Sequence, residues 1–126
     1  MEYNTRKLLK PNDLNANNTL FGGQLLKWID EETGIYAMTK LNTRHVVTKF
    51  MSEIDFVSSA KQGEVIEIGV QLEALGKTSI TMSCEVRNLF SRKAIIRVDK
   101  IVYVKVDDQE RPIPHNISLN DLKSSS

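Results

Sequence analysis

Between Phe21 and about Leu41 the chain runs without a proline, and its apolar residues do not keep to one side. Leu25, Leu26, Trp28, Ile29, Ile35, Ala37, Met38 and Leu41 are spread around the helical wheel. A helix that is apolar on most of its sides is a buried helix. Something must wrap it, and the rest of the chain supplies strands. Residues 3–9 read as a short first strand, ended by Lys10-Pro11. Residues 45–57 are rich in β-formers. Strict alternation follows, with Ile66, Ile68, Val70, Leu72 and Ala74 on one face of one segment and Ile80, Met82, Cys84 and Val86 on one face of the next. A last segment sets Ile96, Val98, Val102, Val104 and Val106 on one face. Period-2 alternation means one buried face. Turn signals at Gly63, Gly76-Lys77 and Asn88–Lys93 keep the connections short, which implies antiparallel pairing. The expected class is α+β: one long helix wrapped by an antiparallel sheet of about five strands, with a partner covering whatever the sheet leaves open.

Composition narrows function by exclusion. With 126 residues and a net charge of +1, the chain suits one domain and has no strong field for nucleic acid or an anionic membrane. The single Cys excludes an internal disulfide framework and fits a reducing compartment. "MEYNTRKLLK" lacks the apolar core of a secretory leader, and no apolar run reaches the ~18 residues of a membrane span. The expectation is a cytoplasmic protein with one domain over residues 1–117 and a disordered tail over 118–126.

The helix carries an acidic triplet, Asp30-Glu31-Glu32, among its apolar residues. At about 100° per residue, Asp30 shares a stripe with Gly23, Leu26, Thr33, Gly34, Ala37 and Leu41. Glu32 lies nearly opposite and Glu31 to one side. Gly34 points to close approach of another backbone, since glycine costs a helix ~1 kcal/mol relative to alanine. Asp30 is expected to be partly buried, either as a structural acid or as a group that does chemistry. Gly22-Gly23 leaves the first-turn N–H groups unobstructed at the positive end of the helix dipole, a good place for a developing oxyanion. A packing role for the glycine pair is the alternative. Gly22 and Asp30 are roughly 12 Å apart along the axis, too far for one carbonyl to meet both. In a symmetric dimer, Gly22 of one chain can face Asp30 of the other.

"PNDLNANNTLFGGQLLKWIDEETG", then "RHVVTKFMSEIDFVSSAKQGE" and "GKTS", resembles the hotdog-fold acyl-CoA thioesterases, most closely the bacterial and brain-type cytosolic acyl-CoA hydrolases. The resemblance runs from about residue 3 to Pro114. It implies the hotdog fold and hydrolysis of acyl-CoA to a free acid and CoA, with no cofactor beyond the CoA of the substrate itself. It implies a dimer with a continuous sheet, assembled as a trimer of dimers. By that resemblance Asp30 is general base or nucleophile, the Gly22 N–H polarises the thioester carbonyl, and Asn15 is a side-chain donor near it. A Ser on the strand after the helix orients water in some relatives, and Thr48 or Lys49 falls nearest that position in this chain. Thr19 and Gly23 fall in the substrate site. Many relatives carry His where this chain has Phe21, and some carry Asn or Asp where it has Thr19. The CoA arm is expected along Phe56-Val57-Ser58-Ser59-Ala60, like an added strand, with its nucleotide end near Gly76, Lys77, Thr78 and Ser79. Arg44 and Lys61 are further phosphate candidates.

Other residues yield less. His45, His115 and Cys84 have no metal-ligand spacing, and Cys84 sits on an apolar strand face. Gly76-Lys77 can also be an ordinary hairpin turn. A non-catalytic acyl-CoA-binding hotdog module is the alternative function. A hotdog dehydratase would need a histidine near the helix, and this helix has none.

Overall fold

The computed structural model describes residues 1–123. Strand β1 (Glu2–Leu8) leads through a loop to helix α1 (Gly22–Leu41). Five strands follow: β2 (Val46–Met51), β3 (Ile54–Phe56), β4 (Val65–Leu75), β5 (Ser79–Asn88) and β6 (Ala94–Lys105). A short helix, α2 (Leu119–Lys123), comes last. The expected disordered tail is thus helical over its first part, and residues 124–126 lie outside the described residues.

The sheet has six strands in the order β1-β4-β5-β6-β2, with β3 also on β6, and each pairing is antiparallel. The sixth strand arises because the expected single segment over residues 45–57 breaks at Ser52-Glu53. There the Ser52 N–H donates to the Lys100 carbonyl (2.8 Å) and the Ser52 hydroxyl accepts from the Lys100 N–H (3.0 Å).

The inner face of the sheet packs on α1 much as the alternation requires. Ile66, Ile68, Ile80, Met82, Val86 and Ile96 are fully buried against a core that includes Leu25, Trp28, Ile29, Ala37 and Leu41. In β6 the phase slips. Met82 pairs with Ile101 but Cys84 pairs with Val98, so β6 carries one extra residue there. Such a bulge reverses the facing of everything beyond it. Past it Ile101 and Tyr103 join the core and Val102, expected inward, is half-buried, while Val104 and Val106, also expected inward, are buried. In β4 Leu72 is half-buried against the core, and Ala74, beyond a register shift between the two, is exposed.

The wrap is incomplete. Lys27, Asp30, Glu31, Ile35 and Thr39 of α1 are exposed, so the helix has one open side rather than none. Strand β2, at the sheet edge, is also largely open.

Candidate active site

The loop before α1 folds back on itself between Leu14 and Leu20. Asn15 closes it: its Oδ1 accepts from the N–H of Asn17 (2.9 Å), the N–H of Thr19 (3.2 Å) and the hydroxyl of Thr19 (3.2 Å). Asn18 takes the left-handed turn (φ 61), a conformation asparagine tolerates well. The loop is then stitched to residues 60–61, through the Leu20 N–H to the Ala60 carbonyl (2.7 Å) and a bridge between Thr19 and Lys61. The N-cap of α1 is Phe21, in extended conformation, with no side-chain cap. Serine, threonine, aspartate or asparagine would normally cap such a start. Its absence leaves the first N–H groups of a 20-residue helix to an outside acceptor.

A cleft of about 250 Å³ opens beside Gly22, lined by Leu20, Leu25, Phe56, Ser58, Ser59, Ala60 and Ile95. A Cβ at Gly22 would lie 3.9 Å from the Phe56 ring. A polar cleft of about 300 Å³ continues from it, sharing Ser58, Ser59 and Ile95 and adding Lys61 and Lys93. The strip over residues 56–60 is partly committed within the chain. The Val57 and Ser58 N–H groups donate to the Ile95 carbonyl (2.9 and 3.2 Å), and the Ser58 hydroxyl donates to the Ala94 carbonyl (2.6 Å). An extended ligand would therefore find fewer free backbone groups there than a bare strand edge provides.

Asp30 lies two turns further along α1. Contrary to the partial burial expected of it, its side chain is exposed. Its stripe starts exposed at Gly23 and becomes buried only from Thr33 to Leu41, and Asp30 faces β2, beyond which no further strand lies. The carboxylate is nonetheless held. The Tyr103 hydroxyl donates to Asp30 Oδ1 (2.9 Å) and lies 2.9 Å from the Asp30 backbone carbonyl. The Thr48 hydroxyl donates to the same Oδ1 (3.3 Å). Thr48 and Tyr103 are cross-strand partners, so β2 and β6 present both hydroxyls together. Of Thr48 and Lys49, Thr48 is the residue that reaches the acid. Burial, together with the neighbouring Asp30, pushes the Tyr103 phenol above its ordinary pKa, against the lowering effect of hydrogen bonds from Thr33 and Thr48. The close approach expected at Gly34 is real, but it comes from the Tyr103 side chain rather than a backbone: a Cβ at Gly34 would lie 3.4 Å from the phenolic oxygen.

The predicted residues therefore form three groups. Asn15, Thr19, Gly22, Gly23 and Phe56–Ala60 gather at the helix start. Asp30 and Thr48 meet in mid-helix, with Tyr103, which sequence reasoning missed. Gly76–Ser79 form the β4–β5 hairpin, closed by the Gly76 N–H to the Ser79 carbonyl (3.0 Å). Ser79 pairs with Val104 and Phe56 with Ile96, so the hairpin and the strip over 56–60 sit about 27 Å apart along β6. His115, with its side chain buried, braces the hairpin. Its Nε2 lies 3.1 Å from the Ser79 carbonyl, and its N–H donates to the Lys77 carbonyl (3.2 Å). Thr78 and Ser79 also line a cleft of about 340 Å³ with Lys49, Phe50 and Lys100. Cys84 is buried, and burial lifts its thiol to about 12, which fits a core residue and not a nucleophile.

A long helix in a curved antiparallel sheet, with an uncapped start and a held acid, defines a class that comparison identifies. The thioesterase superfamily model matches residues 17–95, and the chain belongs to that superfamily. It is 26% identical over 107 residues to an uncharacterized acyl-CoA thioester hydrolase of Bacillus subtilis, covering 82% of this chain and 62% of that relative. The chain thus spans about three fifths of that relative's length. A hexameric thioesterase of Yersinia pestis superimposes with a TM-score of 0.83 at 30% identity, covering 90% of this chain and 93% of the other. An acyl-CoA hydrolase of Staphylococcus aureus, solved with butyryl coenzyme A, coenzyme A and coenzyme A disulfide, superimposes with a TM-score of 0.78 at 25% identity, covering 87% and 66%.

Proposed function

We propose that the protein hydrolyses acyl-CoA thioesters, with Asp30 as its acid–base or nucleophilic group. The observation that carries this reading is the Asp30 carboxylate, fixed through Oδ1 by two hydroxyls on the open side of α1. In the general-base form, Asp30 takes a proton as water attacks the thioester carbonyl. The Gly22 N–H and the dipole of α1 stabilise the oxyanion. Collapse breaks the C–S bond, and the proton held by Asp30 passes to the departing thiolate. The products are a carboxylic acid and CoA. In the nucleophilic form the carboxylate attacks first and expels the CoA thiolate, and water then cleaves the resulting anhydride, releasing the acid and restoring the Asp30 carboxylate. The spacing of Gly22 and Asp30 on one helix favours a site shared by two chains, with each chain giving Gly22 to one site and Asp30 to the other. Asn15 lies beside the Gly22 end, and the CoA arm follows Phe56–Ala60 toward Lys61 and Lys93. The Gly76–Ser79 hairpin lies too far along β6 to serve that same arm, so it contributes to a site only across an interface. A dimer, and three such dimers in a hexamer like the Yersinia pestis thioesterase, fit this arrangement.

Variants of the Staphylococcus aureus hydrolase with an aspartate, an asparagine or a threonine replaced by alanine have also been solved. In that enzyme the replaced asparagine precedes the aspartate by fifteen residues, the spacing of Asn15 to Asp30. The test is thiol release from a panel of acyl-CoAs by the wild type and by Asp30→Ala. The expected result is release by the wild type and its loss in the variant, with CoA still bound. Wild-type protein that binds every acyl-CoA tested and releases no thiol would establish the non-catalytic binding module instead.

A further inference from the structure

We infer that Tyr103 is the positioning residue of the Asp30 carboxylate, fixing Oδ1 so that Oδ2 is the oxygen that meets water or the thioester. This rests on the reading of Asp30 as base or nucleophile. The geometry is particular. One phenolic oxygen stands 2.9 Å from both Oδ1 and the backbone carbonyl of Asp30, so a single proton ties the side chain and the main chain of that residue to one point. Thr33, fully buried, sets its hydroxyl 3.1 Å from the phenol and 2.8 Å from the Ile29 carbonyl, so it packs directly behind the ring's oxygen. Thr48 donates to Oδ1 as well. Among the described residues Oδ2 has no protein hydrogen-bond partner, so the two oxygens of Asp30 are unequal.

Two structural features serve this contact. The extra residue in β6 turns Tyr103 from the outer face to the inner one. Gly34 leaves room for the ring at the helix, where a Cβ would lie 3.4–3.8 Å from three of its atoms. A carboxylate on the exposed side of a helix would otherwise rotate among its rotamers in water. Holding it in one orientation is the kind of positioning whose loss by about 1 Å costs roughly 100-fold in rate.

The test is Tyr103→Phe, which keeps the buried ring and removes only the hydroxyl. The expected result is a kcat lower by roughly 10- to 100-fold with a KM within twofold of the wild type. Thermal unfolding serves as the control for folding. In the Asp30→Ala background the same substitution is expected to change the residual rate by less than twofold. A kcat within twofold of the wild type for Tyr103→Phe, with Asp30→Ala inactive, overturns the positioning role and leaves the base intact. Full turnover by Asp30→Ala overturns the reading of the acid itself. A Tyr103→Phe loss that persists unchanged in the Asp30→Ala background shows that the phenol acts elsewhere and also overturns the inference.

Discussion

The two edges of the sheet are finished differently, and the same helix faces both. At the β1 edge polar pairs close the structure within one chain. The Thr5 hydroxyl donates to Glu32 (2.5 Å), Tyr3 donates to Glu85 (2.8 Å), and Lys7 lies 5.5 Å over the Trp28 ring. At the β2–β3 edge Val47, Phe50, Phe56 and Val57 are 37–58% exposed, and Phe21 at the helix start is 53% exposed. An unpaired edge with an apolar face invites another chain. Glu32 and Asp30 stand two residues apart in sequence, yet one is tied into the finished edge and the other sits at the unfinished one. The proposed hydrolysis, which draws on water, substrate and a second copy, fits the second edge.

Exchanging the two acids tests this contrast most severely. Asp30→Ala is expected to lower kcat by about 10³-fold, within the range for a lost general base or nucleophile. Glu32→Gln is expected to keep kcat within threefold and to cost about 1 kcal/mol for a weakened hydrogen bond. Steady-state kinetics and urea unfolding on both variants decide the matter, and a catalytic loss at Glu32 equal to that at Asp30 would erase the distinction.

That division is legible in the amino-acid sequence, because the helical period alone places Glu32 opposite Asp30. The Gly22 pair and the alternation of β4 and β5 are equally plain, since each rests on local spacing. Tyr103 is not. Strict alternation in β6 puts Val102 inward and Tyr103 outward, and a one-residue bulge leaves no sign in the pattern of apolar residues. The exposure of Asp30 escapes the sequence for a related reason. A helical wheel gives direction around the axis but not which strand ends the sheet on that side. The break between β2 and β3 depends on a hydrogen-bonded exchange between Ser52 and Lys100, and the support of Gly76–Ser79 by His115 joins segments 36 residues apart.

A charge on the open edge should separate assembly from folding. Val47→Lys combined with Phe50→Lys is expected to leave the proposed dimer as monomers in sedimentation and to lower activity at least 100-fold, while the monomer keeps its far-UV circular dichroism. Leu8→Lys adds a charge at the β1 edge, where Leu8 is 56% exposed, and is expected to leave both mass and activity unchanged. Equal dissociation by both would mean that the edges are equivalent.

The β1 side should instead respond in stability. Glu67 is buried, and Arg87 reaches it at 2.6 Å while its guanidinium lies 3.7 Å over the Tyr3 ring. Tyr3 crosses Gly69 so closely that a Cβ there would meet the ring at 2.6 Å, which is why β4 carries glycine opposite Tyr3. Arg87→Ala removes the partner of a buried carboxylate. It is expected to lower the urea midpoint with kcat per folded molecule unchanged. An unchanged midpoint would show that Arg92, 3.9 Å from Glu67, takes over the charge.

The smallest effect is one of pH, and it reads the same closed edge through its phenol. Burial lifts Tyr3 to about 12 from an ordinary 10.0, aided by its hydrogen bond to Glu85 and that carboxylate's charge. Burial also pushes Glu85 upward, but hydrogen bonds from Arg97 and Tyr3 outweigh it and hold the carboxyl below its ordinary value. For a phenol whose folded pKa is raised, the unfolded chain loses its proton first as pH rises. The contribution of Tyr3 is therefore complete below pH 10 and fades between about pH 10 and 12. Glu85 works in the opposite sense, its contribution present above its ordinary pKa of 4.5 and lost as pH falls below it. Buried Cys84 and Tyr103 are also shifted upward and add alkaline losses of the same sign. Tyr3→Phe is expected to leave stability at pH 8 lower than the wild type and to make its decline between pH 10 and 12 shallower. Urea unfolding across that range measures both slopes. Parallel slopes would show that the ring of Tyr3, and not its hydroxyl, is what closes the β1 edge.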